Sequence, residues 1–346
     1  MTARRETRAV SAPPAARSRG LQEIQAALEG CRRIILTTHL NADGDGAGSE
    51  TALAHRLRRR GAEPVIVNPT PFPEGFAFLL DGLPAHTPAE PAGRRALERG
   101  ELLVVLDTAE ISRLGSVPSE AGDLPLAVLD HHPPQGTGLS PVEVRDPSAC
   151  ATGELVYDLL MLSDQELSLN EAVGLYVAIA TDTGAFRFSN TSVRAHEIAA
   201  RLIAAGVEPE ALYRRLYAQY TPARLSLLRI ALASLRTDPT LPIVWVTITE
   251  EGMRSTGATW EDLEGIVEYP RRLKGTEVAI LFRELAGGRT KVSLRSNGAV
   301  DVAAVAAGLG GGGHIKAAGV VVERPLQEAE RIVVERVREA VRESGL

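Results

Sequence analysis

The sequence predicts an α/β protein of two lobes: a doubly wound, mostly parallel sheet first, then a smaller α+β domain. Three observations carry this. Short apolar runs such as Ile34-Ile35-Leu36, Leu102-Leu103-Val104-Val105-Leu106 and Leu126-Ala127-Val128-Leu129 alternate with helix-period segments, the pattern of a parallel sheet with crossover helices. Acidic and imidazole side chains follow these runs directly, at the strand ends where such sheets bind ligands. From Pro242 the pattern changes to strands with helices between them, and 346 residues suffice for two cores.

Taken in order, residues 1–20 carry Arg4, Arg5, Arg8, Arg17 and Arg19 around Pro13-Pro14 and read as a disordered basic tail. The tail has no apolar stretch of the kind a secretory signal needs. A helix over 21–29 leads into a strand over 33–37. A tight Gly-rich turn, His39-Leu40-Asn41-Ala42-Asp43-Gly44-Asp45-Gly46, precedes a helix from Ser49 with Leu53 and Leu57 on one face and a stop at Gly61. A strand over 65–67 ends at Pro69 and Pro71, and 72–91 is loop-rich. The strand over 102–106 ends at Asp107. The strand over 126–129 ends at Asp130-His131-His132, where Pro133-Pro134 forbids continuation. Helices follow over 152–162 and 170–181, the second delivering Asp182 at its end, then over 196–205, 209–219 and 222–235. This reading places the first domain at 21–206, a helical connector at 207–238 and the second domain at 239–346. In the second domain strands are expected over 243–248, 277–282, 290–294 and 319–322. A helix over 301–307, a glycine run at 310–313 and a final helix from Leu326 complete it.

Composition narrows the function. A net charge of −6 argues against a protein that grips long nucleic acid, though not against a small cationic pocket. No apolar run reaches the roughly 18 residues of a membrane span. Cys31 and Cys150 fit neither a zinc spacing nor a disulfide framework, so both read as small core residues of a cytoplasmic protein.

Four places offer metal ligands: His39 with Asp43 and Asp45, Asp107, Asp130-His131-His132, and Asp182. Taken singly each has an ordinary reading. Asp-Gly-Asp-Gly is a solvated turn, a strand-end His a polar cap, and Asp107-Thr108 a helix N-cap. Jointly, all at strand or helix ends, with three of the seven histidines among them, they point to a metal site. Carboxylates with a minority of imidazoles suit Mn²⁺, with Mg²⁺ or Co²⁺ compatible and Zn²⁺ less so. Asp43 and Asp45 can point at different ions, and a lone strand-end carboxylate such as Asp107 is suited to bridging them. Two ions about 3.5–4 Å apart clamp a phosphoryl group and activate water.

These segments resemble the DHH phosphoesterase superfamily. They match its four motifs in order: His39-x-x-x-Asp43-x-Asp45, Asp107, Asp130-His131-His132 and Thr181-Asp182-Thr183-Gly184. Three further stretches are similar to the branch that degrades nanoRNA and dephosphorylates pAp. These are residues 186–191, Val292-Ser293-Leu294-Arg295-Ser296, and Gly310-Gly311-Gly312-Gly313-His314 followed by Ala317-Ala318-Gly319. The resemblance implies two Mn²⁺, one held by His39, Asp43, Asp107 and Asp182, the other by Asp45, Asp107, His131 and Asp182. It implies His132 as proton donor or phosphate contact, Asp130 orienting it, and an active site in the cleft between the lobes. It also implies a homodimer. Ala42 stands where the family often has Pro, Gly46-Ala47 replaces a commoner Ala-aliphatic pair, and Ile315 replaces a frequent basic residue.

The second lobe then reads as the substrate anchor. Gly312 and Gly313 let backbone N–H groups approach a phosphate, while Arg295, Ser296 and His314 add donors. The expected substrates are dinucleotides and other very short oligonucleotides, and pAp. Cyclic di-AMP and its linear product pApA are the alternative. A RecJ-like exonuclease would need a broad basic groove that the sequence lacks, an inorganic pyrophosphatase lacks the glycine-rich His element, and a non-catalytic nucleotide sensor would have lost ligands that are all present here. Neither a long duplex nor a membrane is an expected partner.

Overall fold

The computed structural model describes residues 10–133 and 138–345. The chain divides into two compact units, Met1–Ala218 and Gln219–Leu346.

In the first unit, strands β1 (Arg33–Thr37), β2 (Glu63–Val67), β3 (Ala85–His86), β4 (Leu102–Leu106), β5 (Leu126–Asp130) and β6 (Glu143–Arg145) form one sheet in the order β3-β2-β1-β4-β5-β6. Every neighbouring pair is parallel. The helices are α1 (Ala15–Glu29), α2 (Gly44–Arg59), α3 (Pro91–Arg99), α4 (Val117–Ala121), α5 (Thr152–Met161), α6 (Leu169–Asp182), α7 (Val193–Ala204) and α8 (Pro209–Tyr217). Successive strand residues serve opposite faces. Ile34, Leu36, Val104, Leu106 and Leu129 pack with Leu21, Leu53, Leu155 and Leu175, whereas Ile35, Leu103, Val105 and Val128 pack with Leu97 and Val117. Both faces are covered, as a doubly wound sheet requires. The strand order reverses between β1 and β4, which opens a crevice beyond their C-terminal ends.

Two expectations need correction here. The basic tail does not run through residue 20: residues 1–9 lie outside the described residues, but α1 begins at Ala15. Arg17 is buried, where it pairs with Asp146, Glu154 and Asp158. A guanidinium with three carboxylate partners is held inside the fold rather than left in solvent. The Gly-rich turn is also shorter than expected. Helix α2 starts at Gly44, capped by Asp43, whose side chain accepts the N–H groups of Asp45 and Gly46. The glycines serve close approach. A Cβ on Gly48 would lie 2.4 Å from the Gly174 carbonyl oxygen of α6, and one on Gly44 would lie 2.4 Å from Thr181. Of the two cysteines, Cys150 is buried and Cys31 only half-buried.

The second unit contains α9 (Pro222–Ala233), β7 (Arg236–Thr237), β8 (Ile243–Ile248), α10 (Glu250–Thr256), α11 (Glu268–Arg271), β9 (Val278–Leu285), β10 (Arg289–Ser296), α12 (Val302–Ala307), β11 (Gly312–His314), β12 (Ala317–Val322) and α13 (Leu326–Glu343). Its sheet runs β11-β12-β10-β9-β8-β7, with β8 and β9 parallel and the other pairs antiparallel. Ala329, Val333, Val337 and Val341 make the apolar stripe of α13 against Ile280, Phe282, Val292 and Leu294. Leu227 and Ala231 of α9 cover the opposite face.

Candidate metal centre

The crevice at the β1/β4 reversal gathers every ligand that the sequence suggested for the first unit. His39 and Asp43 follow β1, Asp45 sits in the first turn of α2, Asp107 follows β4, and His131 and His132 follow β5. Asp182 is the last residue of α6, brought to α2 by the Gly48–Gly174 contact. Three sets can each place one ligand atom per residue within 4.8 Å of the others: His39, Asp43 and Asp107; Asp45, His131 and Asp182; and Asp107, His131 and His132.

Hydrogen bonding fixes which atoms face the centre. Nδ1 of His39 donates to the Leu40 carbonyl at 2.9 Å, since a carbonyl oxygen can only accept. Its Nε2 is buried without a partner among the described residues. That atom lies 3.4 Å from Oδ2 of Asp107 and 3.8 Å from Oδ2 of Asp43. Nε2 of His131 is likewise buried and unpartnered. It stands 3.7 Å from Oδ2 of Asp45, Oδ1 of Asp107 and Oδ2 of Asp182 alike. Two unpartnered imidazole nitrogens converging on carboxylate oxygens are a donor set that divalent cations satisfy.

The electrostatics agree. Burial, together with the charges of Asp107, Asp182 and Asp43, pushes Asp45 well above the usual carboxylate range. Burial and the nearby Asp43 charge push Asp107 up to about 8, and Asp182 is raised by burial and by Asp43. Asp182 also sits at a helix C-terminus, where negative charge is disfavoured. Asp107 has a positive φ of 63°, a backbone state that a non-glycine residue holds only when its surroundings impose it. Nδ1 of His132 bonds Oδ1 of Asp130 at 2.7 Å, which raises His132 to about 9. Burial alone would raise Asp130, but hydrogen bonds from the His132 ring and N–H hold it below its ordinary value.

Three residues with no role assigned from sequence support this cluster. The N–H groups of Thr152 and Gly153, at the start of α5, donate to Asp45 at 2.6 and 2.9 Å. They are helix-terminal donors that need an acceptor. The Thr152 hydroxyl also donates to Oδ1 of Asp107 at 3.1 Å. The Asn190 amide donates to Oδ2 of Asp182 at 3.1 Å. The available signal was Thr152-Gly153 opening a helix, but its partners lie far away in the chain.

In the second unit, Arg295 of β10 and His314 of β11 both register with Ala317 of β12. Gly312 and Gly313 lie in β11 rather than in an open loop. A Cβ on Gly313 would come within 2.5 Å of Ala317 and Ala318, whereas one on Gly312 would meet nothing. Nε of Arg295 donates to Glu268 at 3.1 Å. Ser296 differs from expectation. It is fully buried with an unpartnered hydroxyl, because adjacent strand residues point to opposite faces and Arg295 takes the outward one. Arg295 and Ser296 therefore do not present side chains to the same ligand.

Comparison with known proteins agrees with this architecture. Residues 33–181 match the DHH family, N-terminal domain, and residues 242–343 match the DHHA1 domain. A Thermus thermophilus protein named bifunctional oligoribonuclease and PAP phosphatase NrnA is 33% identical, covering 93% of this chain and 94% of its own. A Bacillus subtilis protein of the same name is 27% identical over 87% of this chain and 93% of its own. An exopolyphosphatase-related protein from Bacteroides fragilis shares the fold with a TM-score of 0.87 at 21% identity, covering 95% of this chain and 98% of that one. RecJ from Thermus thermophilus, solved with Mn²⁺, shares it with a TM-score of 0.54 at 17% identity over 97% of this chain and 56% of that one. The class defined is a hydrolase acting on phosphoester bonds. The chain belongs to the DHH family, built as a DHH domain followed by a DHHA1 domain.

Proposed function

We propose that the protein is a two-metal phosphodiesterase that cuts very short oligonucleotides to mononucleotides and also removes the 3′-phosphate of pAp. The observation that supports this most is the pair of buried, unpartnered Nε2 atoms of His39 and His131, each facing a different oxygen of Asp107. The names of the Thermus and Bacillus relatives support the substrate class.

In this reading His39, Asp43, Asp107 and Asp182 would hold one ion, and Asp45, Asp107, His131 and Asp182 would hold the other. Mn²⁺ suits this donor set, with Mg²⁺ or Co²⁺ compatible. When bound, such a pair of ions would supply charge stabilisation to the phosphoryl oxygens and would lower the pKa of an attacking water. The protein's own side chains do the rest. Thr152 and Gly153 hold Asp45 in place through their N–H groups, and Asn190 orients Asp182. His132, kept protonated by Asp130, gives its proton to the leaving oxygen. In the second unit, Arg295, the backbone N–H groups around Gly312 and Gly313, and His314 take the terminal phosphate of the substrate. The test is incubation of the purified protein with Mn²⁺ and either a 5′-phosphorylated dinucleotide or pAp. Mononucleotides and inorganic phosphate are the expected products, and inactivity on both substrates contradicts the reading.

A further inference from the structure

We propose that Arg113 and Arg145 bind a further phosphate of the substrate, neither the one being hydrolysed nor the terminal one. The inference rests on the oligonucleotide reading above. A shallow recess in the first unit is lined by Arg113, Arg145, His132, Asp130, Thr108 and Glu110, among others. His132 and Asp130 are a shared wall: Nδ1 of His132 is also 3.7 Å from Oδ1 of Asp107, so the recess opens directly beside the metal centre.

Both guanidinium groups are placed by the fold. Arg145 ends β6, in register with Asp130 at the end of β5, so the two side chains leave the same edge of the sheet. Glu143 accepts from its Nε and Nη2, while Nη1 is buried with no partner among the described residues. A buried donor without an acceptor is costly unless a ligand supplies one. Arg113 lies on the short helical turn Ile111–Leu114, and its carbonyl accepts the Leu40 N–H at 2.8 Å, tying the turn to the His39 loop. Among the described residues its guanidinium makes no hydrogen bond or ion pair. Two guanidinium groups with unpaired donors fit the oxygens of a phosphate. An oligonucleotide repeats its phosphates, so a chain with one phosphate at the metals carries the next close by. Glu110 is the lining carboxylate that works against an anion, which gives the assignment a sign that can be tested. As a plain strand-edge ion pair, Arg145 would show no dependence on substrate length.

The test measures dissociation constants of the Mn²⁺-loaded protein for 5′-phosphorylated di- and trinucleotides with phosphorothioate linkages. The wild type is expected to bind the trinucleotide about tenfold more tightly, the scale of a charged hydrogen-bond pair. R113Q and R145Q each largely abolish that preference, and E110Q widens it. Equal binding of both lengths by the wild type overturns the proposal, as does a preference unchanged in both arginine variants. If a thermal melt shows that R145Q is unfolded, R113Q decides alone. A wild type that binds both analogues but cleaves no natural short oligonucleotide refutes the functional reading, while the binding ratio still decides the role of the recess.

Discussion

Nε2 of His39 lies 3.4 Å from Oδ2 of Asp107, with no protein donor on the imidazole nitrogen. The other Asp107 oxygen faces His131 at 3.7 Å and accepts the Thr152 hydroxyl at 3.1 Å. One carboxylate is thus shared between two histidine-centred clusters, and Thr152 fixes its rotation.

Replacing Thr152 by Val should therefore weaken metal binding without unfolding the protein, because the Asp45 contact uses the Thr152 backbone N–H and survives. Losing a hydrogen bond to a charged group costs about 1.5–3 kcal/mol, so Mn²⁺ affinity should fall about tenfold or more. T152S should restore it. Calorimetric titration with Mn²⁺ checks this, and equal affinities in T152V and wild type would remove Thr152 from the account.

The metal-free protein should lose stability as pH rises. Asp45, Asp107 and Asp182 are raised in the fold, by burial first and then by one another and Asp43. A carboxyl raised above its unfolded value of about 4 contributes its stabilisation below that pH and loses it as pH climbs through the folded value, about 8 for Asp107. In chelator, Tm should fall between pH 5 and 8. Added Mn²⁺ should restore most at the upper end, where the carboxylates are ionised for binding. A chelated protein whose Tm rises over that range would contradict the charge assignment.

Helix packing also positions Asp182, a candidate ligand. A methyl at Gly48 would sit 2.4 Å from the Gly174 carbonyl oxygen and 2.8 Å from the Ala178 nitrogen, both backbone atoms that cannot swing away. G48A should cost about 1–3 kcal/mol, lower Tm by several degrees, and weaken Mn²⁺ binding through the displaced Asp182. Unchanged melting would show that α2 and α6 do not approach this closely.

Much of this was legible in the sequence, for physical reasons. The bounds of β1 are legible because Ile34, Ile35 and Leu36 form a buried run, and the candidate metal ligands are legible because polar groups end such runs. The start of α2 was not legible. Gly44, Gly46 and Gly48 argue against a helix by propensity, yet contact with Thr38, Thr181 and Gly174 admits no side chain there. The same contact bears on Gly46: its Cβ would be 2.5 Å from the Thr38 hydroxyl. Thr152 was hidden because its role depends on an acceptor 107 residues earlier. The buried hydroxyl of Ser296 could have been anticipated, since strand alternation already separates it from Arg295.

Arg295 should act on binding rather than on the chemical step. On the proposed reading Arg295 holds a terminal phosphate in ground and transition states alike, so R295A should raise KM about tenfold or more and leave kcat largely unchanged. Steady-state kinetics on a dinucleotide check this. A fall in kcat at constant KM would place Arg295 in the reaction itself.

On the two-metal reading Asp107 would bridge both ions. Asn fits the Asp107 site, since it has the same shape and tolerates the positive φ of 63°, so D107N should fold. The direct measurement counts Mn²⁺ bound per chain in wild type and D107N, alongside dinucleotide turnover. The account predicts two ions in the wild type, at most one in D107N, and turnover reduced about a thousandfold or more. A D107N protein that keeps both ions and its turnover, or a wild type that is fully active with a single ion, would contradict it.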